Sequence, residues 1–124
     1  MFRTLFCLGL LAFSALQAEE ILINPSDSSQ EQVQEALILA KPGDTIKLQA
    51  GLYKFTDGLS LDVDNVRLIG EGMDKTILSF ADQLSGAQGL LVTSNKVVLK
   101  DFAIEDAKGD ALKVIGADGI YMIN

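Results

Sequence analysis

Residues 58–68 read GLSLDVDNVRL, and residues 89–99 read GLLVTSNKVVL. The two stretches align at a constant offset of 31 residues, with leucine or valine matching leucine or valine at four positions. A third copy begins near Asp110, with one residue inserted around 116–117. An internal repeat of this kind indicates a fold built from similar units that stack on one another.

The matched aliphatic residues predict columns in which side chains of successive units lie above one another. These columns are Leu59–Leu90–Leu112, Leu61–Val92–Val114, Val66–Val97–Ile120 and Leu68–Leu99–Met122. Each unit holds two short alternating strands around a polar turn, and a third apolar piece follows at 77–80 and 102–104. Three short strands in about 22 residues favour stacked coils with parallel sheets, since a meander of hairpins would need tight two-residue turns.

The residues before the repeat predict a strand over 21–23, a helix over about 28–40, and strands over 45–48 and 52–55. Ser28 and Glu31 fit the capping-box pattern, in which each side chain would bond to the other residue's free amide. The helix has an apolar face and ends at Pro42-Gly43. We expect it to cap the first coil, whose open edge would otherwise recruit other chains.

The composition excludes several classes of function. The chain has 124 residues, with 17 Asp and Glu against 10 Lys and Arg, so the net charge of −7 has the wrong sign for binding a nucleic-acid backbone. It contains no histidine, which excludes imidazole-based mechanisms and the commonest metal ligand. No apolar run reaches the roughly 18 residues of a membrane-spanning helix, so we expect neither nucleic acid nor membrane as a partner of the mature chain.

The amino terminus predicts export. Arg3 precedes an apolar run over 5–16, and small Ala18 is followed by two glutamates. This is the order of a secretory signal peptide, so we expect residues 1–18 to be removed after Ala18 and the protein to be periplasmic or secreted. Removing 18 of the 124 residues leaves 106 without any cysteine, so packing of the core alone must hold the mature chain together.

Residues 35–53, EALILAKPGDTIKLQAGLY, resemble the opening of right-handed parallel β-helix proteins of the pectate-lyase-like superfamily. These proteins typically start with an A-L-x-x-A-x-P-G-D-T-I-x-L-x-x-G-x-Y run. The later segments 70–78 and 103–106 resemble exported bacterial β-helix repeat proteins. The resemblance implies an all-β right-handed parallel β-helix with three-strand coils and about three rungs, divided into a signal peptide (1–18), a strand with a capping helix (19–43) and coils (44–124).

The resemblance also implies a function. The superfamily contains polysaccharide lyases, hydrolases, epimerases and non-catalytic adhesive proteins, so fold does not decide between them. We expect the N-terminal part of an exported protein that binds or, in its full-length form, modifies a polysaccharide. The alternative is a non-catalytic periplasmic or surface scaffold that presents its sheets to a protein partner.

The chain stops inside a strand of the third copy, and no polar cap follows. Terminal repeats normally need such a cap. We therefore expect the open end to be covered by missing downstream coils, with another chain as the rival explanation.

The acidic and basic residues offer candidates but no complete site. The densest acidic cluster is Asp101, Glu105, Asp106 and Asp110, which we interpret as a solvated face, with a cation or substrate role as the alternative. The segment 62–65 begins like a calcium loop, but Arg67 stands where glycine is required, so we interpret it as a turn. The resemblance implies calcium-binding carboxylates and an arginine or lysine base in lyases. We interpret Arg67, Lys75 and Lys100 as surface charges, with the role of such a base as the alternative.

The most unusual surface residues are apolar. Alternation directs Val98, Tyr121 and Ile123 outward, where they would stack on sugars, contact a protein or be covered by downstream sequence. Asp64, Asn95 and Asp118 align as turn residues. We assign no catalytic, cofactor-binding or metal-binding residue, and no cofactor is evident, calcium being the one ion considered.

Overall fold

The structure is a computed structural model, and it describes residues 17–123. Within that range the chain is mostly strands in parallel sheets, with one short helix, α1 (Ser29–Leu39). The strands are β1 (Glu20–Ile23), β2 (Thr45–Leu48), β3 (Gly51–Lys54), β4 (Leu59–Leu61), β5 (Arg67–Ile69), β6 (Thr76–Ser79), β7 (Gln88–Val92), β8 (Val98–Lys100), β9 (Ala103–Glu105), β10 (Asp110–Val114) and β11 (Tyr121–Ile123). Nearly all of the predicted signal peptide, residues 1–16, lies outside the described residues.

From β2 onward, successive strands join three sheets in rotation. Sheet A has the strand order β1-β2-β5-β8-β11, sheet B the order β3-β6-β9, and sheet C the order β4-β7-β10. Every pairing is parallel. We call β2–β4, β5–β7 and β8–β10 the first, second and third tiers, and β11 lies next to β8 as the first strand after them.

The predicted columns of aliphatic side chains are confirmed by the strand register. Leu90 pairs with Leu59 on one side and with Leu112 on the other. Leu99 likewise lies between Leu68 and Met122. The column Val66–Val97–Ile120 lies where the turns enter sheet A. There the Val98 amide donates to the Val66 carbonyl at 3.0 Å, and the Tyr121 amide donates to the Val97 carbonyl at 2.9 Å.

The core fills the space between the three sheets. Most of its aliphatic members come from alternate positions of the strands, as the two-residue period requires, and Val33 and Leu37 come from α1. Phe55 and Phe80 stack with ring centroids 5.0 Å apart. Both phenylalanines lie one residue beyond β3 and β6, and Phe102 precedes β9, whereas the sequence predicted all three inside strands. These rings pack towards the core although they lie just outside the paired strands. The alternation of apolar residues in the sequence therefore extends beyond the strand ends.

Helix α1 confirms the predicted span of about 28–40 to within one residue at each end. The predicted capping box is wrong, because Ser28 makes no side-chain cap bond and Glu31 is exposed. Instead, the buried Ser29 hydroxyl donates to the Ser26 carbonyl at 2.9 Å and accepts from the Ser26 amide at 3.0 Å. This reciprocal pair fixes the turn before the helix and makes a box between Ser28 and Glu31 unnecessary.

Helix α1 packs against β4, and two glutamine side chains satisfy backbone groups beside it. The Gln34 amide donates to the Ser60 carbonyl at 3.0 Å and accepts from the Ser60 amide at 2.9 Å, which are the bonds that another strand would make. Gln30 accepts from the amides of Thr56 and Asp57. The eleven-residue α1 therefore closes the edge of sheet C, and the described residues contain no helix long and apolar enough to cross a membrane.

Burial decreases towards β10 and β11. Leu59 and Leu90 are buried, whereas Leu112 is half-buried in the same column. Met122 is 67% exposed although its partner Leu99 is 5% exposed. The last members of each column lose burial because no described residue lies beyond them in the stack.

Candidate ligand-binding face

The outward side of sheet A collects five of the residues that the sequence singled out. Because Ile46, Leu68 and Leu99 are buried, the residues on either side of each must point away from the core. We call these outward positions the sheet A face; its members are Glu20, Leu22, Thr45, Lys47, Arg67, Ile69, Val98, Lys100, Tyr121 and Ile123.

The sheet A face is basic in an acidic protein. Three of its ten residues are cationic and one is acidic, while the whole chain has 17 acidic and 10 basic residues. The cations are Lys47 on β2, Arg67 on β5 and Lys100 on β8, which are three neighbouring strands. Neighbouring strands lie about 4.8 Å apart, so the face presents one positive charge per strand across this distance.

The face also carries two columns in which cationic and apolar side chains lie next to one another. Arg67 pairs with Val98, which pairs with Tyr121, and Ile69 pairs with Lys100, which pairs with Ile123. Lys47 and Lys100 are half-buried, since their aliphatic stems lie along their neighbours while their charged ends reach solvent. Tyr121 is 59% exposed and places its ring at the end of the first column. The predicted candidates Arg67, Lys100, Val98, Tyr121 and Ile123 therefore lie on one surface.

The structure changes the set of basic residues on this face at two positions, Lys47 and Lys75. Lys47 was missed by sequence reasoning, although its position between inward Ile46 and Leu48 directs it outward. The missing information was that β2 pairs with β5, which brings Lys47 beside Ile69 and in the same column as Lys100. Lys75 does not join the face, because it lies in the turn before β6, where its amide donates to the Gly72 carbonyl at 3.1 Å.

The acidic cluster of Asp101, Glu105, Asp106 and Asp110 lies on and around β9. Among residues 17–123, no group of three or more acidic or cysteine side chains is placed to hold a metal ion. Asp101 and Asp106 flank β9, and both have left-handed backbones with φ of 62° and 60°. Aspartate adopts this conformation more readily than most residues, so the two are corner residues of the third tier. Calcium binding stays a prediction without assigned ligands.

The residues that resembled a calcium loop form a hydrogen-bonded ladder between tiers. Asp64 accepts from the Asn95 amide at 2.8 Å, and Asn95 in turn accepts from the Asp118 amide at 2.8 Å. Asp62 accepts from the Thr93 hydroxyl at 2.7 Å. The predicted alignment of Asp64, Asn95 and Asp118 as turn residues is confirmed, and their side-chain oxygens hold the turns together.

Two buried ionisable groups stabilise the base of the stack. The backbone amides of Lys41 and Glu19 donate to Asp44 and hold the pKa of its carboxyl below the usual value, against the opposing effect of burial. Burial, with the Glu71 charge nearby, raises the pKa of Tyr53 to about 12. The Tyr53 hydroxyl lies 2.9 Å from the Ile23 carbonyl and 2.7 Å from the Gln49 carbonyl, so its proton is held inside the core.

A concave surface separate from the sheet A face lies at the last described tier. It has a volume of about 280 Å³ and is mainly apolar, with Phe102, Ile104, Leu112 and Met122 among its lining residues. These are the ends of core columns, so the concavity is the uncovered top of the core. The prediction that downstream coils or another chain cover it stays a prediction.

Comparisons with known proteins return no relative: no protein-family model, no curated protein and no solved structure matches this chain. The candidate site therefore rests on the register of sheet A and on the chemistry of its outward side chains.

Proposed function

We propose that the chain is a right-handed parallel β-helix, exported from the cytoplasm, whose sheet A face binds an acidic polysaccharide. The resemblance of residues 35–53 supports this fold, and so do the rotation of strands among three parallel sheets and the columns of paired leucines. The signal-like residues 1–18 support a periplasmic or secreted location.

The observation that carries the binding proposal is the cation on each of three adjacent strands. Lys47, Arg67 and Lys100 follow one another across β2, β5 and β8 in a protein of net charge −7. Neighbouring strands lie about 4.8 Å apart, and Arg67 lies two residues along its strand from the column that holds Lys47 and Lys100. An acidic polysaccharide that lies across the strands would therefore meet a cation on each of three adjacent strands.

The apolar residues of the face fit the same ligand. Tyr121 combines an apolar ring with a polar tip, which suits stacking on the less polar side of a sugar ring. Ile69 and Val98 lie between the cations and would contact the same rings. A guanidinium such as that of Arg67 binds a carboxylate through two parallel hydrogen bonds, which supports a charged rather than a neutral glycan.

The resemblance to lyases and epimerases extends the proposal to modification of the bound polysaccharide by the full-length protein. We assign binding alone to the residues of this face. Its one carboxylate, Glu20, lies two strands away from Arg67 in the same column, which is about 10 Å at the usual strand spacing.

A non-catalytic scaffold is the second candidate function, and one observation favours it. Leu22, Ile69 and Ile123 alternate with Lys47 and Lys100 in a single column across all five strands of sheet A. A surface on which exposed apolar side chains lie among charged ones is also found where a protein contacts another protein.

The test is binding to polygalacturonate and alginate, with uncharged dextran as the control polymer, measured by affinity electrophoresis at two salt concentrations. The triple variant Lys47→Gln, Arg67→Gln, Lys100→Gln removes the cations of the face. A second triple variant, Lys54→Gln, Lys75→Gln, Lys113→Gln, removes the same charge from other surfaces. We expect the first variant to lose at least tenfold in affinity for the acidic polymers, and the second to retain affinity within about twofold.

Equal losses in the two triple variants would reject the sheet A face as the site. Absence of binding by the unmodified protein to either acidic polymer would reject the polysaccharide proposal and favour the scaffold. Incubation with the same polymers tests modification, because β-elimination creates an unsaturated uronate that absorbs ultraviolet light. Binding without that absorbance would show that these 124 residues bind the polymer without lyase activity of their own.

A further inference from the structure

The buried Asp44 carboxylate contacts the backbone nitrogen at which the predicted signal peptide would be cut. Asp44 is 4% exposed, and its Oδ1 accepts from the Glu19 amide at 2.9 Å while its Oδ2 accepts from the Lys41 amide at 2.9 Å. Glu19 is the first residue after Ala18, which is the predicted cleavage position. The atom held by Asp44 Oδ1 is therefore the nitrogen that becomes the amino terminus.

We propose that Asp44 is the binding site for the processed amino terminus and that signal-peptide removal completes a half-buried ion pair between the Glu19 ammonium, which also faces solvent, and the buried Asp44 carboxylate. This inference rests on the export part of the proposed function. It does not depend on what the sheet A face binds.

The chemical step is hydrolysis of one peptide bond by a signal peptidase. The bond between the Ala18 carbonyl carbon and the Glu19 nitrogen breaks; water supplies a hydroxyl group to the carbonyl carbon and a proton to the departing amine. At neutral pH the amine takes a further proton from solvent and becomes an ammonium group with three donors. One donor keeps the existing 2.9 Å contact with Asp44 Oδ1, and the others face solvent, since Glu19 is exposed.

The energetic reason is that Asp44 carries a buried charge. Before processing, its carboxylate is stabilised by two neutral amides, which keep it ionised but do not cancel its charge. A buried carboxylate is most stable when it is both hydrogen-bonded and paired with a cation. Cleavage supplies that cation at hydrogen-bonding distance with no movement of the backbone.

The anchored nitrogen also organises the first strand pair. The Thr45 amide donates to the Glu19 carbonyl at 2.9 Å, and β1 then pairs with β2 from Glu20 to Ile23. The charge pair would therefore fix the start of β1 at the edge of sheet A. An edge strand that is fixed at its first residue frays less and exposes fewer unpaired backbone groups.

Charged groups from three elements surround this contact. Lys41 lies in the same turn and acts on Asp44 through its charge, while Glu19 and Glu20 belong to the β1 segment. Arg67 begins β5, and its amide donates to the Asp44 carbonyl at 3.0 Å. Among these kinds of group, only an α-amino group ordinarily titrates between about pH 6.5 and 9.

The pH dependence follows from the pairing. The folded protein would hold the ammonium proton more tightly than the unfolded chain, whose α-amino group titrates at about 7.7–8.0. The stabilisation would be complete below about pH 7.7 and would disappear as the pH rises through the higher folded-state pKa.

The test compares chains released from a cleavable fusion at Glu19 or at Gln17, each with Asp44 or with Asp44→Asn. We expect the Glu19 chain to melt about 4 °C or more above the Gln17 chain at pH 6.5, the difference to vanish by about pH 10, and Asp44→Asn to abolish it. A difference that is independent of pH, or that persists in Asp44→Asn, would overturn the proposal.

Two further measurements use the unsubstituted protein. The α-amino group of the Glu19 chain should titrate above its ordinary range by NMR when the chain is folded, and inside that range in denaturant. Mass spectrometry of the product that a bacterium exports from the full 124-residue sequence should show Glu19 as the first residue. Another amino terminus, or an unshifted titration, would overturn this inference while leaving the glycan assay to decide the sheet A face independently.

Discussion

Leu90 pairs in register with Leu59 in the neighbouring parallel strand, and both side chains are buried. Leu91, the next residue, points to the opposite side of sheet C and is half-buried. Substitutions at these two adjacent leucines therefore distinguish what the stacked core and the surface each contribute to the free energy of unfolding.

Replacing Leu90 with alanine removes the middle member of the column Leu59–Leu90–Leu112. We expect a loss of about 2–5 kcal/mol in the free energy of unfolding, because the site is enclosed on both sides and cannot collapse. Leu91→Ala is the matched control and should cost less than about 1.5 kcal/mol. Urea denaturation followed by circular dichroism measures both, and equal losses would contradict the assigned register.

Replacing Gln34 with alanine leaves the amide and carbonyl of Ser60 without protein partners. We expect a loss of about 1 kcal/mol and a rise in concentration-dependent association, since the edge of sheet C becomes open. The control is Gln32→Ala, because Gln32 is exposed and accepts only a 3.3 Å bond from the Ser26 hydroxyl. Thermal unfolding and light scattering test the pair; a Gln34 variant that behaves as the Gln32 variant does would show that α1 closes the edge by other contacts.

Because Tyr53 is buried, we expect the free energy of unfolding to fall in alkaline solution. Its pKa is raised to about 12, above the value of 10 for a free phenol, so the folded state favours the protonated form. The stability that this contributes is complete below pH 10 and is lost as the pH rises from 10 to 12. Tyr53→Phe should be less stable at neutral pH and should lose this alkaline dependence.

The protein provides its own control for that titration. Tyr121 is the only other tyrosine and is exposed, so Tyr121→Phe should leave the alkaline transition intact. Phenolate absorbance against pH, measured in each single variant, distinguishes the two side chains. Titration of Tyr53 in the ordinary range within the folded protein would contradict its placement in the core.

Lys96 has a left-handed backbone with φ of 57°, and Asn65 occupies the equivalent position one tier earlier with φ of 59°. Asparagine tolerates this conformation better than lysine. Lys96→Asn should therefore stabilise the protein by about 0.5–1 kcal/mol, and Asn65→Lys should destabilise it by a similar amount. Opposite signs in urea denaturation would confirm the equivalence of the two turns, and equal signs would refute it.

The repeat in the sequence predicted the parts of the fold that depend on periodic burial. Leu59, Leu90 and Leu112 recur at matched positions, and a column follows directly from stacking. Gln83 could not be predicted in the same way: it is 1% exposed, yet it lies in a segment whose composition indicates a loop. Its side-chain amide lies within hydrogen-bonding distance of the Ser85, Gly86 and Gln88 carbonyls, and such local polar satisfaction leaves no periodic signal.

The sequence predicted several residues of the sheet A face but not that they lie together. Alternation within each strand directed Val98, Tyr121 and Ile123 outward, but alternation does not say which strands are neighbours. In the chain, β3 and β4 lie between β2 and β5, and only the pairing of β2 with β5 places Lys47 with the other cations. Charge on a surface therefore becomes a candidate site only when the register between tiers is known.

The ladder of Asp64, Asn95 and Asp118 has a direction. In each step a side-chain oxygen of the earlier turn accepts the backbone amide of the later one. A polypeptide is made amino end first, so every acceptor exists before its donor emerges. The turns can therefore be completed in the order of synthesis, which makes the architecture suited to sequential assembly from its helical end, with each finished layer acting as the template for the next.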